Sequence, residues 1–252
     1  MSGHSKWSTI KRQKQATDKK RGQLFTKITR AITLAVGEGG GITDSASNFR
    51  LRLAIEKAKE INMPKDNIER AVERGIGKGE GSNQIESVVY EGYGPGGVAF
   101  VIECATDNKQ RTGAQVKHIL DRVGGSLAGT GSVNYLFDQQ GMIVVKKGGA
   151  DEDVMLEKAI EAGALDMQPE SDDYVLYTAR EDLHKVKEAL TKAGFTPIES
   201  ELVYRPKSTI PIGDSTIARS IVQCIDNLEE LDDVQRVFTN EDIDDSLIQQ
   251  LS

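Results

Sequence analysis

The chain predicts an α+β multidomain fold: an N-terminal three-helix bundle followed by two small α+β domains, one inserted in the other. Three observations carry this expectation. Residues 23–75 repeat apolar side chains at helical period, punctuated by Gly and Pro. Beyond the glycine-rich run 75–83 the pattern changes to strands. Finally, residues 135–206 hold a complete β-α-β-α-β order, while the elements before them lack a helix and a strand that appear only after residue 212. The expected domains are therefore 1–79, 80–134 together with 207–252, and an inserted 135–206.

The elements follow in order. Over residues 23–36, Leu24, Phe25, Ile28, Ala31, Ile32 and Ala35 recur on one helix face, and a run of glycines stops it. Asp44 or Ser45 can cap a second helix over 46–61, with Phe49, Leu53, Ala54, Ala58 and Ile61 inward. Pro64 suits the first turn of a third helix that ends at Gly75. On that helix Lys65, Arg70 and Arg74 are balanced by Asp66, Glu69 and Glu73, a solvated face. Residues 8–21 offer only Ile10 and Ala16 as apolar anchors, too few to fold firmly alone. The glycines of 75–83 predict a hinge.

Strands are expected over 87–90 and 98–105 around a Gly-Pro turn, then a helix over 109–123. Thr106-Asp107-Asn108 reads as its cap. The inserted unit runs strand 142–146, helix 154–162, strand 174–179, helix 183–193 and strand 200–204. A helix over 215–231 and a strand over 234–239 then lead into a frayed acidic tail.

A length of 252 residues fits two or three domains with real cores, and 5% aromatic content makes those cores mostly aliphatic. Cys104 and Cys224 lie far apart in apolar surroundings, the pattern of reduced thiols rather than of a disulfide or a zinc site. The N-terminus lacks the apolar region of a secretory leader, and its basic stretch runs into helix signals with no cleavable presequence evident. No apolar run approaches membrane-spanning length. The expected setting is cytoplasmic, without a membrane partner.

Charge is the functional signal. Residues 1–30 hold nine Lys or Arg against the single acid Asp18, a balance of +8. The whole chain carries −7, which leaves −15 on the rest. Such polarity draws one end to polyanions and repels them from the other. Trp7, the only Trp, sits among these cations, where an aromatic ring can stack on a base. The candidate nucleic-acid-binding residues are Lys6, Trp7, Lys11, Arg12, Lys14, Lys19, Lys20, Arg21, Lys27, Arg30, Arg50 and Arg52.

Catalytic motifs are missing. Residues 92–97 match G-x-G-x-x-G, but a strand follows where the dinucleotide motif needs a helix, and Pro95 removes a donor. His4, His118 and His184 are scattered without metal-ligand spacing. No P-loop or nucleophile elbow is present. No cofactor, metal or enzymatic activity is expected.

GHSKW at the start, Arg21-Gly22, FTKITRAIT, the glycines before the second helix, NMPKDNIERAVERG, YEGYGPGG and TDN with Arg111-Thr112 together resemble the YebC/PmpR family over essentially the whole chain. Gln110 stands where that family commonly has Asn. The resemblance implies three domains, one interrupting another, and no enzymatic activity. It further implies a DNA-binding transcriptional regulator or, as in the mitochondrial translational activator of cytochrome c oxidase, a factor that acts on ribosomal RNA at the ribosome.

Overall fold

The computed structural model describes residues 18–78, 84–148, 151–170, 172–244 and 247–248. The arm before Asp18 and residues 79–83 of the expected hinge lie outside the described residues. The fold is α+β and multidomain, with a helical N-terminal part and two antiparallel four-stranded sheets.

Among the described residues three helices come first: α1 Asp18–Glu38, α2 Phe49–Glu60 and α3 Lys65–Gly75. Their shared core is Ile32, Ala35, Val36, Leu51, Ala54, Ala58, Met63 and Ala71. Leu24, expected inward, is 40% exposed. The cap of α2 is Asn48, not Asp44 or Ser45. The Asn48 side chain accepts from the Leu51 amide at 3.1 Å and donates to the Ala35 carbonyl at 2.8 Å. An amide can do both, which an aspartate cannot, so one side chain starts α2 and satisfies a carbonyl near the end of α1. Asp44 instead closes the preceding turn through the Ala46 amide and the Ser47 hydroxyl. Gly75, expected in the hinge, is the last residue of α3, and a Cβ there would lie 2.5 Å from that of Val36 and 2.8 Å from the Thr33 carbonyl. Its absence lets α3 approach α1 closely.

The first sheet has the order β3-β1-β2-β9, from β1 Glu86–Tyr93, β2 Ala99–Thr106, β3 Ser126–Ala128 and β9 Val234–Thr239. The second has the order β5-β6-β4-β7, from β4 Phe137–Lys146, β5 Asp166–Pro169, β6 Asp173–Ala179 and β7 Pro197–Pro206. Helices α5 Glu152–Ala162 and α6 Leu183–Lys192 complete the second unit in β-α-β-β-α-β order, the split βαβ arrangement. Its edge strand β5 was not expected, because Asp-Met-Gln-Pro carries no β signal.

Side-chain alternation builds four layers. Phe100, Ile102 and Cys104 of β2 face helices α4 Lys109–Arg122 and α7 Ser215–Glu229. Ala99 and Val101 point the other way, onto Met142, Val144, Val175, Tyr177, Val203 and Tyr204 of the second sheet. Ile143, Val145, Tyr174 and Leu176 turn to α5 and α6. Both faces of each sheet are therefore covered, which is why AFVIECA and MIVV read as nearly unbroken apolar runs.

The chain end is not frayed through its described part. Strand β10 Glu241–Ile243 pairs parallel with β8 Ile210–Ile212, and Ile243 and Ile248 are buried against the first-sheet helices. Among the described residues no helix is long and apolar enough to cross a membrane.

Candidate nucleic-acid interface

Of the candidate residues, Lys6, Trp7, Lys11, Arg12 and Lys14 lie outside the described residues. Lys19, Lys20 and Arg21 fall on the first turn of α1, where backbone alone is described. Lys27, Arg30, Arg50 and Arg52 are fully placed, and each meets an anionic or carbonyl partner within the protein.

Helical spacing puts Gln23, Lys27 and Arg30 on one side of α1. Lys27 Nζ donates to the Glu229 carbonyl at 2.5 Å, and Gln23 Nε2 donates to the Glu230 carbonyl at 3.4 Å. Both carbonyls belong to the C-terminal end of α7, where acceptors are left over and the helix dipole is negative. Arg30 Nη1 pairs with Asp233 Oδ1 at 2.9 Å and donates to the Ala105 carbonyl at 3.3 Å.

Asp233 is 4% exposed and serves as a hub. Its Oδ2 receives Arg111 at 2.7 Å, Thr112 Oγ1 at 2.6 Å and Thr106 Oγ1 at 3.1 Å. Burial would raise its pKa, but hydrogen bonds from Arg111 and Thr112 and the charges of Arg30 and Arg111 hold it below the ordinary aspartate value. The Thr106-Asp107-Asn108 motif caps α4 as expected, Asn108 Oδ1 accepting from the Arg111 amide at 3.0 Å. Thr106 of that motif, with Arg111 and Thr112 from the first turn of α4, thus holds Asp233 from the body.

A second hub lies on α2. Lys57 Nζ reaches Glu201 at 2.6 Å and Glu199 at 3.9 Å, both on β7. Arg236 of β9 reaches Glu201 at 3.1 Å and the Leu202 carbonyl at 2.6 Å. Helix bundle, first sheet and second sheet meet at this carboxylate. Across the strand from Arg236 stands Glu103, whose pKa burial raises despite the charges of Arg236 and Arg50. Nearby, Lys187 of α6 pairs with Glu56 at 2.9 Å.

Arg50 pairs with Glu38 and keeps 46% of its side chain exposed. Arg52 holds the α1–α2 turn through the Ser45 and Ala46 carbonyls at 2.9 and 2.7 Å, and lies 2.8 Å from His184 Nε2 of α6. His184 also meets the Phe49 ring, at 5.7 Å between centroids. Phe49 and Leu53, expected in the bundle core, border the core of the second sheet instead.

An open cleft of about 1120 Å³ separates α1 from β1. Its charged lining is Arg30 and Arg74 against Glu38, Glu86 and Asp107, so it offers no net attraction to an anion. Among the described residues no group of three or more His, Cys, Asp or Glu could hold a metal ion. Cys104 and Cys224 are free, buried thiols whose pKa burial pushes up to about 12.

Reading the sequence alone missed Asp233, Glu201 and Lys57 as docking residues. No local signal marks them, because each acts on a partner distant in the chain.

Residues 5–78 match the model of the TACO1/YebC protein N-terminal domain, and 85–241 that of the TACO1/YebC second and third domain. A protein of Persephonella marina named probable transcriptional regulatory protein is 47% identical over 253 residues, covering 100% of both chains. One of the same name from Acidithiobacillus ferrooxidans is 53% identical over 97% of this chain and 96% of its own. The crystal structure of a conserved hypothetical protein from Aquifex aeolicus superposes with a TM-score of 0.82 at 44% identity, over 89% of this chain and 91% of that one.

Proposed function

The chain belongs to the TACO1/YebC family, and from that premise we propose that it is a nucleic-acid-binding regulatory protein without enzymatic activity. It acts on DNA as a transcriptional regulator, through its basic N-terminal domain. One observation carries the reading: +8 on residues 1–30 against −15 on the rest. A duplex binds such an end by releasing counterions, and the acidic body keeps the orientation. The name shared by the relatives, probable transcriptional regulatory protein, supports the choice of DNA. In this reading residues 1–79 form the binding unit. Residues 80–134 with 207–252 form a second unit, and 135–206 are inserted in it. The division is supported by the strand sets of the two sheets, the first of which is drawn from both sides of the second.

A second reading is carried by Trp7 beside Lys6. A single aromatic among cations suits unpaired bases, and the three helices present no Arg, Asn and Gln set at base-reading spacing. That reading is a ribosome-associated RNA-binding translation factor. Crosslinking in cells, followed by sequencing of the bound nucleic acid, decides between them. Promoter peaks are the expected outcome; ribosomal RNA in their place overturns the DNA reading in favour of the second.

A further inference from the structure

The bundle rests on the body through charges as well as through Phe49 and Leu53, and, apart from Lys187 on Glu56, the body supplies the anions. Lys27 and Arg30 of α1 meet the α7 carbonyl end and Asp233, and Lys57 of α2 meets Glu201 and Glu199. The two sides differ in depth. The Arg30 and Lys57 side chains are 20% and 32% exposed, while those of Asp233 and Glu201 are 5% and 9% exposed. The cations lie at the wet edge of the interface, within reach of a competing anion.

The buried carboxylates would not be stranded if the bundle left. Asp233 keeps Arg111, Thr112 and Thr106, and Glu201 keeps Arg236, all from the body. Breaking a buried ion pair is costly mainly when it leaves a charge without a partner, and here each carboxylate has a second cation. Polar interfaces between domains of one chain also favour relative motion.

We propose that this docked arrangement is an autoinhibitory latch, in which Asp233, Glu201 and the end of α7 stand in for phosphates. A phosphodiester backbone competes for Lys27, Arg30 and Lys57 and releases the bundle from the body. The inference rests on the reading of the basic N-terminal domain as the nucleic-acid-binding end. A ligand shifts such an equilibrium only by its preference for the open state, and the docked fraction lowers its apparent affinity.

Energy transfer tests this on the full chain. Lys65→Cys on the bundle and Lys192→Cys on the body give label sites, since these side chains are 86% and 80% exposed while Cys104 and Cys224 are 2% and 0% exposed. The probes are a short duplex DNA and a single-stranded RNA of equal length. Transfer is expected to fall as a probe saturates, and the probe that causes the fall identifies the competitor. Glu199→Gln with Glu201→Gln is expected to tighten binding, by about tenfold if one molecule in ten is undocked at rest. Binding with unchanged transfer overturns the latch and leaves the basic-end reading intact. Binding of neither probe overturns both. Should the double variant not fold, the labelled chain with its native carboxylates decides alone.

Discussion

The molecule contains two large internal contacts built on opposite principles. Between the two sheets the contact is mainly apolar, from Val101 and Phe238 on one side to Val144, Val203 and Tyr204 on the other, the Tyr204 and Phe238 rings lying 5.3 Å apart, with the Arg236–Glu201 pair beside it. Between the bundle and the body, Lys and Arg meet carboxylates and carbonyls beside the apolar pair Phe49 and Leu53. Hydrophobic burial is non-directional and hardly depends on salt, whereas partly exposed ion pairs are screened. The first contact fixes the body as one piece. The second sets only where the basic end rests.

Phe238→Ala gives the largest expected effect. Removing a buried ring costs about 3–5 kcal/mol, and chemical denaturation at low and high salt should show the same loss. A loss that grows at low salt would mean the sheet contact also depends on charge.

Glu91 sharpens the comparison, because it is a charge that stabilises the body rather than the docking. It is 3% exposed, and its carboxylate accepts the amides of Gly131, Val133 and Asn134 at 2.7, 2.7 and 2.9 Å. Burial raises its pKa, yet these three backbone hydrogen bonds outweigh burial and leave it below the ordinary value of 4.5. A depressed carboxylate stabilises fully above the unfolded value, and that contribution fades as pH falls through the folded one. Glu91→Gln should therefore cost about 1–3 kcal/mol at neutral pH and less in acid, read from urea midpoints. An equal cost at both pH values would assign the effect to shape, not charge.

Legibility follows the same divide. The apolar, β-rich runs of β2 and β4 were readable, as were the Pro64 and Gly75 ends of α3 and the Asn108 cap, because each is a local rule. The three-residue strands β3, β8 and β10 are too short for any periodicity to register. Leu24 fits the helical face by spacing but sits where no neighbouring element covers it fully. At the candidate site Lys27 and Arg30 were legible, whereas Lys57 and the carboxylate partners were not. Nothing around Asp233 or Glu201 announces a guanidinium or ammonium arriving from the bundle. The sequence shows where charge is, and only the fold shows which carboxylate meets it.

Lys57→Ala gives the smallest effect. One partly exposed ion pair is worth about 1 kcal/mol or less, so global stability should hardly change. Hydrogen exchange in α2 should nevertheless quicken, and high salt should bring the native chain close to the variant. Unchanged exchange at every salt concentration would show that Phe49 and Leu53, not Lys57, dock the bundle.

Binding to nucleic acid, as proposed, is electrostatic and resides in the basic N-terminal end. Its most direct test is the affinity for duplex DNA across salt, for the full chain and for a chain lacking residues 1–21. If about six phosphates are neutralised, log affinity should fall against log salt with a slope of about −5, and the deletion should remove most of the affinity. A flat salt dependence, or full affinity without residues 1–21, would contradict the account.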